Sequence, residues 1–394
     1  MTSTSDAVVV GSGPAGLSAA TALRRATGAR VVVLEREQEP GGVPRHTDHL
    51  GFGMRDLHRV LRGPVYAARL VDRALSAGVD IRTGVTALEV DGAGVRLATG
   101  ERIAAGAVVV ATGVRERPRA ARLVPGDRPA GVFTTGAVQQ LTALAHLPIG
   151  TRAVVVGAEH VSFSAIWSLR HGGCETVALV TPLPRHQSTA VLRHAAATVG
   201  RVPVRTGVDV ARIAGRGRVE RVELTDGTVL HCDTVVFTGE WVPDHELVRR
   251  AGVPIAAGSK APVVDALGRT RQPGLFAAGN LVHPAETGDL CALAGRRMAA
   301  AVERWWSEGT WPAAVPAIEV EQPVVWAAPF AHGVTARVGE LARGAVGLWA
   351  GEQQLASTRT RTLIPHRALH LRVDPEALAE VQAAGRLLTV RLSG

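Results

Sequence analysis

Near the start of the chain, residue types and spacing converge on one kind of chemistry. The apolar run Ala7-Val8-Val9-Val10 leads straight into Gly11-Ser12-Gly13-Pro14-Ala15-Gly16, and a helical stretch follows from about Leu17 to Ala26. A strand, a glycine turn and a helix in that order form the seat of a dinucleotide pyrophosphate. Gly11 permits the tight turn, Gly13 lets backbone approach the phosphates, and Gly16 lets the helix pack close on the strand. The N-terminus of the helix then turns free N–H groups and a positive dipole end toward the anion. A second apolar run, Val31 to Leu34, ends in Glu35, which lies 24 residues after Gly11. An acid at that place accepts hydrogen bonds from the adenosine ribose hydroxyls.

The same framework recurs later with different chemistry. Ala153 to Val156 reads as a strand, Gly157-Ala158-Glu159-His160-Val161-Ser162 as its turn, and the residues to about Arg170 as a helix. The next strand, Thr176 to Val180, ends at Thr181, again 24 residues after its first glycine. Glu159 therefore falls where Gly13 stood, Ser162 where Gly16 stood and Thr181 where Glu35 stood. A carboxylate beside a pyrophosphate repels it, and Arg185 and His186 would have to compensate. Thr181 with Arg185 nearby suits a 2′-phosphate, hence NADPH rather than NADH. Two readings stay open: an altered site that still takes NADPH, or a domain kept as scaffold or subunit interface.

Four further segments are the kind that would complete a nucleotide domain. Pro40-Gly41-Gly42 is a loop after the acid, and Val85 opens a strand pair running to about Leu97. Val108 to Gly113 reads as a buried strand ending in a small-residue turn, and Gly274 to Asn280 closes a strand ahead of a long helix from about Asp289 to Trp305. Together with the first glycine turn, these segments resemble the two-dinucleotide-binding-domain flavoproteins (the pyridine nucleotide-disulfide oxidoreductase superfamily) over about residues 6 to 306. The resemblance implies an α/β fold with two Rossmann-like domains, one inserted in the other, and FAD as cofactor. It implies that Gly11, Ser12, Gly13, Pro14, Ala15 and Gly16 cradle the pyrophosphate. Glu35 and Arg36 would meet the adenosine ribose, and Val85 the adenine through its backbone. Gly42, Val43, Ala111, Thr112 and Gly113 would line the cofactor, with Gly279, Asn280 and Leu290 at its ribityl and flavin end. The superfamily usually has Asp where Asn280 stands; Asn keeps the hydrogen bond and loses the charge.

Disulfide reductases of this superfamily carry a cysteine pair beside the flavin. Here Cys174, Cys232 and Cys291 are far apart, with no CxxC and no metal-ligand spacing, so neither a redox dithiol nor a metal site is expected. Cys291 is either a small core residue or a neighbour of the flavin's pyrimidine edge. The loop from Gly41 to Gly53 is the most distinctive segment. It is similar to the glycine-rich loop of NAD(P)/FAD oxidoreductases that accompany three-component glycerol-3-phosphate dehydrogenases. His49 falls on that family's histidine, and Thr47 stands where it has cysteine. A looser resemblance runs to the FAD subunits of opine oxidase and hydrogen cyanide synthase. His49 and His46, with His58 behind them, are the candidate acid–base groups, because histidine titrates near neutrality. The competing role is to hydrogen-bond loop backbone or the FAD phosphates.

Composition narrows the function classes. The formal charge is +9, but Lys260 is the single lysine among 44 basic residues, and the arginines are scattered rather than run together. With aromatics at 4% there is little on which bases could stack, so nucleic-acid binding is not expected. No apolar run approaches the roughly 18 residues of a membrane span and the N-terminus is polar, so the expectation is a cytoplasmic enzyme without membrane insertion. The FAD domain is expected over 1–120 and 262–312, the NAD(P)-type domain over 121–261, and a small β-rich domain over 313–394. Strand-like alternation at Val334 to Val338 and Ala368 to Val373 supports the last. The functional expectation is the FAD subunit of a dehydrogenase or oxidase for a small amine or hydroxy acid, working with a protein partner. Its alternatives are an NADPH-dependent flavin reductase and a non-catalytic flavin-bearing subunit.

Overall fold

The computed structural model describes residues 2–188, 202–315, 317–330 and 333–393. They form two compact units. One comprises residues 1–45, 50–114 and 242–394; the other comprises 46–49 and 115–241.

The first unit is built on a parallel sheet. In chain order its elements are β1 (Thr2–Val10), α1 (Pro14–Thr27), β2 (Val31–Leu34), α2 (Gly63–Ser76), β3 (Asp80–Arg82), β4 (Ala87–Asp91), β5 (Gly94–Leu97) and β6 (Arg102–Val110). The strand order is β3-β2-β1-β6-β5-β4. Val9 sits between Val33 and Val109 in register. Strands buried on both faces read as continuous apolar runs, and Ala7 to Val10 are one: Ala7 and Val9 join one core cluster, Val8 and Val10 the other. The hairpin β4–β5 runs antiparallel and covers the sheet's far edge.

The chain leaves for the second unit and later returns. There β7 (Val132–Thr134), α3 (Thr135–Ala143), β8 (Arg152–Val156), α4 (His160–His171), β9 (Glu175–Thr181), β10 (Val204–Thr206) and β14 (Thr234–Phe237) form a parallel sheet in the order β7-β14-β8-β9-β10. Strands β11 (Val210–Ala214), β12 (Arg221–Leu224) and β13 (Val229–His231) make a small antiparallel sheet beside it in sequence.

On its return, β15 (Leu275–Ala277) pairs with β6, and the 21-residue α5 (Gly288–Glu308) follows. Gly295 of α5 meets the backbone of Ala15, where a side chain would collide with the Ala15 carbonyl. The remainder is β-rich, as expected. Strands β16 (Val324–Phe330), β17 (Gly333–Val338) and β20 (Leu369–Arg372) form one sheet, and β18 (Ala342–Ala350), β19 (Gln353–Ser357) and β21 (Leu388–Ser393) a second. One helix, α6 (Pro375–Ala383), was not foreshadowed by the alternation. Among the described residues, no helix is long and apolar enough to cross a membrane.

Candidate functional site

In each unit the strand order reverses beside the strand that carries a glycine turn: between β1 and β6 in the first, between β8 and β14 in the second. Crevices at the carboxyl ends of strands at such reversals are where open α/β sheets bind nucleotides.

In the first unit the crevice is open. Gly11 has φ +103°, and a Cβ there would lie 2.5 Å from the Ala111 carbonyl oxygen, so the turn itself requires glycine. Gly13 is different. Its φ is −71°, which any residue adopts, and a Cβ built on it meets nothing within 4 Å. Neither backbone strain nor protein packing calls for glycine at this N-cap of α1. The space in front of it is free for a ligand to approach the backbone. Gly113, at the end of the neighbouring strand, likewise faces open space. Gly42 closes the turn from the side, where a Cβ would lie 2.7 Å from the Gly13 Cα.

Glu35 is buried at the end of β2. Its Oε2 accepts the Ser12 N–H at 3.0 Å and the Ser12 hydroxyl at 2.6 Å, and its Oε1 accepts the Glu37 N–H at 2.9 Å. Three of the carboxylate's four acceptor sites hold it in place, and one on Oε1 stays available for a ribose hydroxyl. Ser12 Oγ in turn accepts the Gly41 N–H at 3.1 Å, tying the acid, the glycine turn and the Gly41-Gly42 loop together.

The other expected contacts are placed as follows. Arg36 is exposed and lies 4.0 Å from Asp244, and Val43 is exposed. Val85 donates its N–H to the Glu35 carbonyl at 2.8 Å, which leaves its own carbonyl for an adenine. Ala111, Ala15 and Cys291 form a small buried cluster, and the Thr112 hydroxyl bonds the Asp244 carbonyl at 2.8 Å. Gly279 approaches Ala15, where a Cβ would lie 2.5 Å from the Ala15 Cβ. Asn280 spends both ends of its amide on Glu286, donating to its carbonyl and accepting its N–H, each at 3.0 Å. It therefore fixes the loop before α5, with one amide hydrogen and one lone pair remaining for a ribityl hydroxyl. The Leu290 N–H is held by the Asp289 carboxylate at 3.0 Å.

Sequence reasoning did not anticipate who clamps that loop. Ala285 adopts φ +71°, and Arg337 of β17 donates to its carbonyl at 3.0 Å. Thr335 of β17 donates to Glu286 Oε1 at 3.0 Å. The β-rich tail thus reaches the segment between Asn280 and α5, a contact that no local pattern announces. Burial raises the Glu286 carboxyl above the usual range, opposed by the charge of Arg337.

His46 and His49 do not belong to this unit. Residues 46–49 group with the second one, where Thr47 donates to Gln139 at 3.3 Å and Trp167 Nε1 donates to the Asp48 carbonyl at 3.0 Å. His46 and His49 thus fall in a different unit from the residues of the first crevice, whereas His58 falls in the same unit as them. All three cysteines are buried and free. Burial holds the Cys291 thiol far above its ordinary range, as befits a small core residue rather than a nucleophile.

In the second unit the corresponding helix N-terminus carries its own carboxylate. Glu159 is the N-cap of α4 and forms a capping box with Ser162, whose Oγ accepts the Glu159 N–H at 3.1 Å. Its carboxylate lies against Gly239, just beyond β14; a side chain there would run into both carboxylate oxygens. Arg122 lies within electrostatic reach of Glu159; Arg185 is exposed, and Gln187, two residues on, donates its N–H to the Ala158 carbonyl at 3.0 Å. Arg122 donates to the carbonyls of Thr238 and Gly239 at 2.9 and 3.0 Å and to Glu240 at 2.8 Å. Burial lowers its pKa, against which the charges of Glu240, Glu116 and Glu159 support it. Glu116, also buried, accepts the N–H groups of Gly239 at 3.1 Å and Gly136 at 2.9 Å. Thr181 is buried at the end of β9, its hydroxyl accepting the Leu183 N–H at 3.4 Å.

Comparison with known proteins agrees with this architecture. Residues 5–303 match the family described as pyridine nucleotide-disulphide oxidoreductase. The chain belongs to this family. It is an FAD-dependent oxidoreductase. It is 29% identical over 289 residues to a probable ferredoxin reductase of Castellaniella defragrans, covering 70% of this chain and 67% of that one. To a subunit of opine oxidase from Agrobacterium tumefaciens it is 27% identical over 320 residues, covering 70% and 61%. Its fold is that of T. acidophilum thioredoxin reductase, with a TM-score of 0.64 at 21% identity over 76% of this chain and 97% of that one. The chain spans about two thirds or less of the length of the curated relatives it matches.

The first crevice fits the family's FAD. Gly13 and Gly113 leave the room a pyrophosphate needs, the first turn of α1 supplies N–H donors, and Glu35 supplies the ribose acceptor. FAD, when bound, supplies a two-electron acceptor at its isoalloxazine ring.

Proposed function

We propose that this flavoprotein is the FAD-bearing subunit of a complex that oxidises a small amine or hydroxy-acid type substrate. The observation that carries the reading is the pairing of an open, glycine-lined FAD crevice with cysteines that are solitary and buried. Electrons that reach this flavin leave it without a protein dithiol. The likeness to the opine oxidase component supports a substrate-oxidising assembly and a protein partner. His49 and His46 remain the candidates for proton transfer. Their test is whether His49→Gln slows substrate-linked flavin reduction while leaving the bound-flavin spectrum unchanged.

A second reading has its own support. Ferredoxin reductase components of aromatic dioxygenase systems are among the relatives, and they suggest an NAD(P)H-driven reductase that passes electrons to an iron–sulfur protein. Anaerobic mixing separates the two. The purified yellow protein is mixed with NADPH and then NADH, followed by amino acids, opines and hydroxy acids, while flavin absorbance is recorded. Bleaching by a nicotinamide nucleotide within seconds establishes the reductase. Bleaching only by a substrate, with or without a co-purified partner, establishes the oxidising complex. A protein that neither bleaches nor gains activity in a complex leaves the flavin a structural role and defeats both.

A further inference from the structure

The family to which this chain belongs is named for a pyridine nucleotide, yet the second crevice is not shaped to take one. Across the reversal, β6 runs on into Ala111-Thr112-Gly113 and β14 into Thr238-Gly239-Glu240, so that in register Gly239 matches Thr112 and Glu240 matches Gly113. A Cβ built on Gly113 meets nothing within 4 Å, whereas one built on Gly239 would run into the carboxylate of Glu159. That carboxylate projects from the helix N-cap, the position equivalent to Gly13, where the first unit presents bare backbone. It thus sits at the positive end of α4, where a pyrophosphate would otherwise be held.

The surroundings are committed to this internal anion. Ser162 Oγ is shared between the Glu159 N–H at 3.1 Å and the Thr238 hydroxyl at 2.7 Å, so the first turn of α4 is stitched to the end of β14. The Arg122 guanidinium is spread over the Thr238 and Gly239 carbonyls and Glu240. Glu116, accepting the Gly239 N–H, adds a second carboxylate beneath the same glycine. A dinucleotide entering here would displace one carboxylate, approach another, and find the N–H groups of Glu159 and Ser162 already engaged in the capping box. Thr181 offers the ribose no carboxylate either.

We propose that Glu159 is a built-in anion that closes the nucleotide crevice of the second unit, so that NADPH and NADH are not the electron donors to this flavoprotein. The reducing equivalents then come from a substrate oxidised at or near the FAD, which loses two electrons and its protons to the flavin and water. The identity of the donor rests on the oxidising-complex reading, whereas the closing of the crevice concerns binding alone and holds whatever that substrate is.

The test is equilibrium binding of NADPH and NADH to the FAD-loaded protein by isothermal titration calorimetry. It compares the wild type with Glu159→Gly, which empties the space, and Glu159→Ser, which removes the charge but retains an N-cap hydroxyl. Flavin content and the thermal midpoint establish that each variant is folded. The wild type is expected to show no saturable binding up to about 1 mM, and the variants to gain affinity by about tenfold or more as a like charge leaves the phosphate site. Saturable micromolar binding of NADPH to the wild type overturns the proposal. So do folded Gly and Ser variants that bind no better than the wild type, since the crevice would then be closed by something other than Glu159. Neither outcome depends on the substrate assay, so the oxidising-complex reading stands or falls separately.

Discussion

The two glycine turns share spacing, strand order and the helix that follows, and they differ in what occupies the helix N-terminus. At Gly13 the N-cap is bare and faces open space; at Glu159 the N-cap carries its own carboxylate, packed on Gly239. A Rossmann-type unit needs its strands, its helix and its first glycine simply to fold. It needs an uncharged, side-chain-free N-cap only to bind an anion. The second unit has kept the first set of requirements and lost the second, which separates what makes the fold from what makes the site.

Exchanging the residues that differ is the most direct way to break this comparison. Gly13→Glu places the second turn's carboxylate in the first crevice. Because Gly13 has an ordinary φ and free space, the fold should survive. A like charge about 4 Å from the pyrophosphate costs about 4 kcal/mol at an effective dielectric constant near 20, roughly a thousandfold in FAD affinity. The variant should purify colourless with native secondary structure by circular dichroism, and a yellow Gly13→Glu protein would remove the basis of the comparison.

A smaller effect is expected at the acid that Thr181 replaces in the second unit. Glu35→Gln removes the charge that receives both Ser12 donors and leaves a weaker ribose acceptor. Loss of charged hydrogen bonds is worth about 1.5–3 kcal/mol, or tenfold to a hundredfold in the FAD dissociation constant, measured by fluorescence on flavin release. Unchanged affinity would mean that Glu35 serves only to brace the turn.

The smallest effect sharpens the electrostatic side. Burial raises the Glu116 carboxyl above its ordinary range, so the folded second unit keeps that proton to higher pH than the unfolded chain does. In the window between the two pKa values the native state binds more protons, and stability falls as pH rises. Against pH from 4 upward, the thermal midpoint of Glu116→Gln should lack this downward contribution. Parallel profiles for the two proteins would show that Gly136, Gly239 and Arg122 already compensate the burial in full.

Local signals carried much of this molecule. Gly11 to Gly16, Glu35 and the apolar strands before them were legible because turn geometry and two-sided burial act over a few residues. The strand after Gly274 and the helix that begins near Asp289 were legible for the same reason. The β-rich tail was visible in its alternation. Glu159 was visible as the wrong residue for a phosphate, since one position in a fixed register suffices for that. What lay beyond reach were contacts between residues distant in the chain. Arg122 and Glu116 carry no spacing signal, and their place under Gly239 exists only once β14 lies beside β8. Arg337 and Thr335 reach the Ala285-Glu286 loop only because the C-terminal sheet folds back on it.

The sequence by itself thus determined a glycine turn of the dinucleotide-binding type, a second turn with an altered N-cap, and cysteines without CxxC spacing. Each of these follows from residue identity at short separation. Only the tertiary structure decided that the altered N-cap is filled rather than merely repelling, and that Asn280 is spent on its own loop. It also decided that residues 46–49 group with the second unit. Hydrogen bonds and close contacts across scores of residues are set by how sheets and helices pack, and no local pattern of residues encodes them.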